Sequence, residues 1–360
     1  MKYLLFIFFV LPLAASSQEL KCVDAHNYES LADWQTFDDD LRTHSLILVG
    51  EGPHIMPVNT YLQTDLLIHL NARYGTRYAI IEWGLAEAYL LNKYMKTGDP
   101  KYYNKTFEGS RNFKEAREAI EKLYHYNKSV PDSAKVKFVG VDFERDPALT
   151  SSIHFFLSEF EDPVLNSLKE DVKARFDTIN FVMEPTDLLA YVRKELPKYA
   201  NIFSQSEDWK QIKDIVDNES SYAAYELRDQ RMVAHFLKLP PNERYLGFFG
   251  TGHIQLDYKK AFAAMLLNTT TFTRADILTI NIHHENSYLT PDYPIGSAYL
   301  DDRGFFKRKT IKKHLDYFQM VSDCETFLLK IQPINKEFED LQEKGDYVLF
   351  TKNQKGYTRK

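Results

Sequence analysis

Two histidines, two glutamates, an aspartate and an arginine are the residues of this chain best suited to activating water. Glu51 and His54 follow the aliphatic run 46–49, Glu82 follows the run 78–81, Asp142 follows 136–141 and His253 follows 245–250. Short apolar runs stopped by glycine or proline read as strands buried on both faces. Ligands of open parallel sheets bind at the carboxyl ends of the strands, so four such endings predict one polar cluster on one sheet edge. Polar residues commonly open the loop after a strand, which is the ordinary reading of any one ending; four together favour a site. Within it His54 could take a proton from water while Glu51 or Glu82 holds the imidazole in the required tautomer. His253 and Arg228 could donate to the oxygen that turns negative as a carbonyl is attacked, worth roughly 3–4 kcal/mol per donor. Asp142 would orient Arg228 or His253.

The same atoms support two other readings. His54, Glu82 and His253, with Glu51, offer nitrogen and carboxylate ligands to a divalent ion such as zinc, manganese or cobalt, as in a metal-dependent peptidase. Alternatively the histidines coordinate haem in a ligand-binding protein that hydrolyses nothing. There is no Gly-x-Ser-x-Gly elbow, P-loop, Cys/His zinc pattern or His-Glu-x-x-His helix, so serine and nucleotide chemistry have no support.

These residues need a frame to bring them together. Helical periodicity marks 29–42, 61–74, 85–96 and 113–126 between the early strands. From 151 to 239 the strand pattern gives way to helical segments at 153–160, 164–181, 186–196 and 222–239. This stretch reads as a helical insertion that could serve as a lid within a single domain, 19–360. Its last helix carries Arg228 at the edge of a stripe formed by Leu227, Val233 and Phe236. A helix at 258–267 and strands at 277–282, 325–331 and 347–351 follow. Residues 283–285 alternate sides, so not all can face one site. The expected class is α/β: a mostly parallel central sheet flanked by helices, with the site at the C-terminal strand edge.

The net charge of −6 provides no basic field for nucleic acid. The many aromatics, 25 Phe and 23 Tyr, suit a pocket for a partly apolar, partly hydroxylated small molecule. Residues 1–18 read as a secretory signal, with Lys2, an apolar core at 4–13 and small residues at 14–17; that core is too short to span a membrane. The expectation is an exported protein, periplasmic or secreted, with no transmembrane segment after processing. Cys22 and Cys324, the two cysteines, would close nearly the whole domain if bonded, a constraint of roughly 5 kcal/mol on the chain-entropy account.

In order along the chain, Gly50-Glu51-Gly-Pro-His54, Tyr78 through Gly84 with Glu82, Asn92-Lys-Tyr94, Gly140-Val-Asp142, Arg228-Asp229-Gln-Arg-Met232, Gly250-Thr-Gly-His253 and Gly296-Ser-Ala-Tyr-Leu300 form a series. On these motifs the chain resembles the erythromycin-esterase-like proteins and, more distantly, the superfamily that includes ChaN-like haem-binding proteins and TraB/Tiki metalloproteases. The resemblance implies metal-independent hydrolysis of a cyclic ester, with His54 as general base and Glu51, Glu82, Arg228 and His253 as its partners. No cofactor is then expected, a divalent metal being the alternative. Departures from the family pattern are Ile55 after the first histidine, Val233 and His235 in the Arg228 helix, and Gly250-Thr-Gly-His253 in place of His-Asn-x-His. The last is closer to the metalloprotease branch and moves the expected substrate from macrolides to carboxylic esters or lactones in general.

Overall fold

A computed structural model describes residues 20–22, 37–52, 57–106, 114–177, 187–218, 227–285, 326–330 and 345–352. Its strands are β1 (Leu20–Cys22), β2 (Leu46–Glu51), β3 (Tyr78–Ile81), β4 (Lys137–Gly140), β5 (Tyr245–Gly250), β6 (Ile277–Glu285), β7 (Thr326–Lys330) and β8 (Tyr347–Lys352). They form one sheet in the order β1-β7-β8-β6-β2-β5-β3-β4. From β8 to β4 every neighbouring pair is parallel, and only β7 and β1 run antiparallel to their neighbours. The fold is therefore α/β with a mostly parallel central sheet, as the aliphatic runs imply.

The run at β2 is buried on both sides because the sheet is covered on both sides. Ile47 and Val49 enter one hydrophobic core, Leu46 and Leu48 the other. The helices are α1 (Asp38–Thr43), α2 (Pro57–Tyr74), α3 (Leu85–Thr97), α4 (Pro100–Thr106), α5 (Lys114–Ser129), α6 (Asp146–Ser158), α7 (Asn166–Asp177), α8 (Asp187–Glu195), α9 (Ala200–Phe203), α10 (Trp209–Asp217), α11 (Arg228–Phe236) and α12 (Phe262–Leu267). Buried side chains of α2, α3 and α5 line the first core, joined by Phe156 of α6, Phe203 of α9 and Ile212 of α10. Met232, Val233 and Phe236 of α11 and Phe262 of α12 line the second.

Among the differences from the sequence reading, two boundaries and one helix have clear physical reasons. α2 starts at Pro57, ahead of the apolar stripe, because proline needs no N–H partner in a first turn. β6 continues through His283 and His284 to Glu285 because β8 pairs with it to the end, Glu285 opposite Lys352; backbone pairing rather than side-chain polarity sets its length. There His284 is buried and shares a 2.5 Å hydrogen bond with Thr351 Oγ1. α10 was not anticipated: its nine residues hold only a few large apolar side chains, yet Ile212, Ile215 and Val216 all face inward.

The sheet edge at β4 is covered by a side chain. Asn92 Oδ1 accepts from Phe138 N and its Nδ2 donates to Phe138 O, both at 2.8 Å, standing in for a further strand. The asparagine of the Asn-x-Tyr motif thus satisfies the sheet. At the other edge β1 sets Cys22 opposite Phe327; Cys324 lies outside the described residues, as do the leader at 1–18 and the Gly296–Leu300 motif. Among the described residues no helix is long and apolar enough to cross a membrane.

Gly140 ends β4 with its backbone against the turn that follows β3. A Cβ there would overlap the carbonyl oxygen of Gly84. Gly140→Ala is expected to lower the urea-unfolding free energy by roughly 1–3 kcal/mol; unchanged stability would contradict this close approach.

Candidate functional site

The sheet order places β2, β5, β3 and β4 side by side, so Glu51, His253, Glu82 and Asp142 all leave the C-terminal edge of adjacent parallel strands. Glu82 extends the pairing of β3 with β5 by donating its N–H to Phe248 O at 3.2 Å. Its carboxylate then turns across the strand ends: Oε2 accepts from Gly250 N at 2.5 Å and Oε1 from Arg228 Nη2 at 2.6 Å. Asp142 is held by its own N–H, which donates to Trp83 O at 3.0 Å. Its carboxylate, 1% exposed, takes both prongs of the same guanidinium, Nε at 2.9 Å and Nη2 at 2.6 Å. Arg228 is the first residue of α11 and Asp229 the second. Asp229 sets its carboxylate 2.8 and 2.9 Å from His253 Nδ1 and accepts from Phe262 N at 2.7 Å, joining α11, the end of β5 and the start of α12.

His253 Nε2 stands 3.3 Å from Glu82 Oε1 and 3.4 Å from Arg228 Nη1. It would donate to the first if protonated or accept from the second if neutral. Burial favours the neutral ring, but the hydrogen bonds to Asp229 and Glu82 and their charges outweigh it and raise the His253 pKa to about 9. At neutral pH His253 is therefore an imidazolium held between two carboxylates, a fixed cation rather than a proton acceptor. Burial also opposes the charge of Arg228, and Asp142 and Glu82 overcome it, pushing its pKa up.

A further layer supports the strand end. Glu144 accepts from the N–H groups of Leu85 and Ala86, each at 2.9 Å, which have no intrahelical acceptor at the start of α3, and from Asn218 Nδ2 at 2.6 Å. Burial and then the charge of Glu87 hold its pKa well above the usual carboxylate range. Asn218 also donates to Asp142 O at 3.1 Å. Arg145 pairs with Glu87 Oε1 at 3.1 Å and lies 3.6 Å from Asp142 Oδ2.

Of the residues singled out by sequence, Glu82, Asp142, Arg228 and His253 meet in one contact network. Glu51 stands beside it, accepting from Gln63 at 3.4 Å and lining the same cleft as Glu82. His54 lies outside the described residues. Asp229, Glu144 and Arg145 were not singled out. Asp229 had a signal, since it follows Arg228 in the Arg-Asp-x-x-Met motif; the charged run 142–146 directly after a strand was another. As a metal centre the described donors fit poorly: His253 Nε2 faces Glu82 Oε1, and the Arg228 guanidinium already fills the cation's place against Glu82. No group of three or more His, Cys, Asp or Glu among the described residues is arranged to hold a metal ion.

A cleft of about 180 Å³ opens beside Glu82. Glu51, Gln63, Glu82 and Arg145 give it polar atoms, and side chains of α2, α3, α5 and the neighbouring strands give it apolar walls.

No protein-family model matches the chain, and no curated protein matches it. Solved structures share the fold. A Bacillus cereus protein determined by structural genomics superposes with a TM-score of 0.62 at 14% identity, covering 94% of this chain and 96% of that one. A succinoglycan biosynthesis protein gives 0.59 at 13% identity, covering 92% and 93%. A mutant of the erythromycin esterase EreC in its open conformation gives 0.58 at 12% identity, covering 93% and 97%. The chain thus has the α/β architecture of these proteins over nearly its whole length, and at such identities the likeness is one of fold.

Because the His253 pKa is raised from 6.5 to about 9 on folding, its stabilisation is fully present below about pH 6.5 and lost as pH climbs through about 9. The loss should approach about 3 kcal/mol. Urea unfolding of wild type and Asp229→Asn between pH 6 and 10 checks it: wild type should weaken across that window more steeply than the variant. Parallel profiles would contradict the assigned charge.

Proposed function

We propose that this protein is a hydrolase that cleaves a carboxylic ester or lactone by water activated at His54. The observation that carries this reading is the buried cluster of Glu82, Asp142, Arg228, Asp229 and His253 at the C-terminal strand edge, bordering a cleft that is apolar on one side and polar on the other. Such a cluster supplies fixed charges in a poorly hydrated setting, where they act strongly on charge that develops during a reaction. His253 is charged and bound on both nitrogens, so the base must be another group, and His54, three residues beyond Glu51 in sequence, is that group.

In the proposed reaction His54 takes a proton from water as the water oxygen bonds to the carbonyl carbon and the carbonyl oxygen becomes negative. The carbon–oxygen bond to the leaving group then breaks, and the alkoxide recovers the proton from His54. Glu51 and Glu82 favour the charged imidazole, and the positive field of Arg228 and His253 lowers the energy of the oxyanion. No metal ion takes part, and the leader read in residues 1–18 puts the protein to work outside the cytoplasm.

The test combines metal analysis of the purified protein with hydrolysis of a panel of small esters and lactones, with and without chelator. Turnover should survive chelation and fall by about three orders of magnitude or more in His54→Ala, the scale of losing a general base. Metal bound in proportion to protein and lost with His54→Ala would instead favour the metallohydrolase reading. Absence of His54-dependent turnover would leave ligand binding as the better account.

A further inference from the structure

Arg145 differs from Arg228 in what its guanidinium has left to give. Nη1 donates to Glu87 Oε1 at 3.1 Å and Nη2 to Glu82 O at 3.5 Å. Nη2 also faces Asp142 Oδ2 at 3.6 Å; a guanidinium carries five N–H groups, so these three contacts still leave Nε–H and one Nη1 hydrogen without an acceptor among the described residues. The guanidinium carbon lies 5.4 Å from the ring centroid of Phe143, and the side chain is 13% exposed. Among the described residues it is also the cation that lines the cleft, and Arg228 is not among the lining residues.

The rest of the lining restricts what that donor can meet. Leu67, Leu91, Ile120, Leu123 and Phe138 form apolar walls. About 150 Å³ of apolar cavity accommodates one benzene ring, whereas drug-sized ligands occupy roughly 300 Å³ or more. A volume of about 180 Å³ therefore suits one small apolar group and not a macrocycle. Glu51 and Glu82 share the polar side with Arg145 and disfavour a carboxylate there.

We propose that this cleft binds one uncharged carbonyl group bearing a single aromatic ring or a short alkyl chain, with Arg145 donating to the carbonyl oxygen. As an account of substrate choice the assignment rests on the hydrolase reading, making the acyl portion of the ester small and apolar and Arg145 the donor nearest its carbonyl. As a binding site it is testable without turnover.

The experiment is calorimetric titration of the full chain with phenylacetamide and with phenylacetate, in wild type, Ala116→Phe, Ile120→Trp and the double variant Glu87→Gln/Arg145→Gln. The double variant removes both members of a buried pair, so no lone charge is left behind. Circular dichroism of each variant establishes that it is folded. Wild type should bind the amide at least about tenfold more tightly than the carboxylate. Either folded cleft-filling variant should abolish amide binding, and the double variant should weaken it about tenfold, the scale of one hydrogen bond to a charged group. No amide binding, equal binding of both probes, or amide binding untouched by the filled cleft would overturn the assignment. If the binding pattern holds but no ester is hydrolysed, the cleft stands and the hydrolase reading falls. If esters are hydrolysed with KM unchanged by Ala116→Phe and Ile120→Trp, the cleft assignment falls and the hydrolase reading stands.

Discussion

The ion pairs of Arg228 with Glu82 and Asp142 hold the strand edge together. Glu82 and Asp142 leave adjacent strands as buried or nearly buried carboxylates that would repel each other without a shared cation. Removing the guanidinium would strand both, and breaking a buried pair from one side costs roughly 3–5 kcal/mol. The arginine reaches them from a helix 86 residues beyond Asp142, anchored in the second core by Met232, Val233 and Phe236. One side chain thus ties the ends of β3 and β4 to α11, and through Asp229 and His253 to the end of β5.

This arrangement divides the labour among the charged groups. Three carboxylates surround two cations, and Arg145, itself paired with Glu87, faces Asp142 Oδ2 at 3.6 Å from the cleft side. His253, bonded through both ring nitrogens, is kept charged and oriented, suited to stabilising negative charge and unsuited to accepting a proton near neutrality. Under the proposed reading the general base is therefore another residue, the role given to His54. Preorganisation of this kind is maintained by the second layer, where Glu144 caps α3 and Asn218 braces the backbone of Asp142.

The strand endings were legible because burial on both sheet faces leaves an unbroken aliphatic signature, at 46–49 and 78–81 above all, and the first polar residue after it marks the edge. That four such endings share one edge followed from the rule for parallel sheets, without any contact being known. Pairings between distant segments were not legible. Nothing local in 142–145 says that Glu144 turns to the start of α3, or that Arg145 turns to Glu87 and the cleft. Asp229 was visible as a motif residue, but its partner His253 is set by how α11 docks, which depends on the shape of the second core. α10 escaped although Trp209, Ile212, Ile215 and Val216 recur at helical spacing, because a nine-residue segment next to the polar stretch 204–208 reads as a loop; its burial comes with the packing of Trp209, Phe203 and Phe156.

If the strand-edge cluster directs water at a carbonyl carbon, single-turnover hydrolysis of a small phenylacetate ester in 18O-labelled water, with protein in excess, should place one 18O atom in the phenylacetic acid formed in the first turnover, at a rate that collapses in Glu82→Gln. Unlabelled acid in that first turnover, with oxygen delivered by a protein carboxylate, or no hydrolysis of any ester tried, would contradict that role of the cluster.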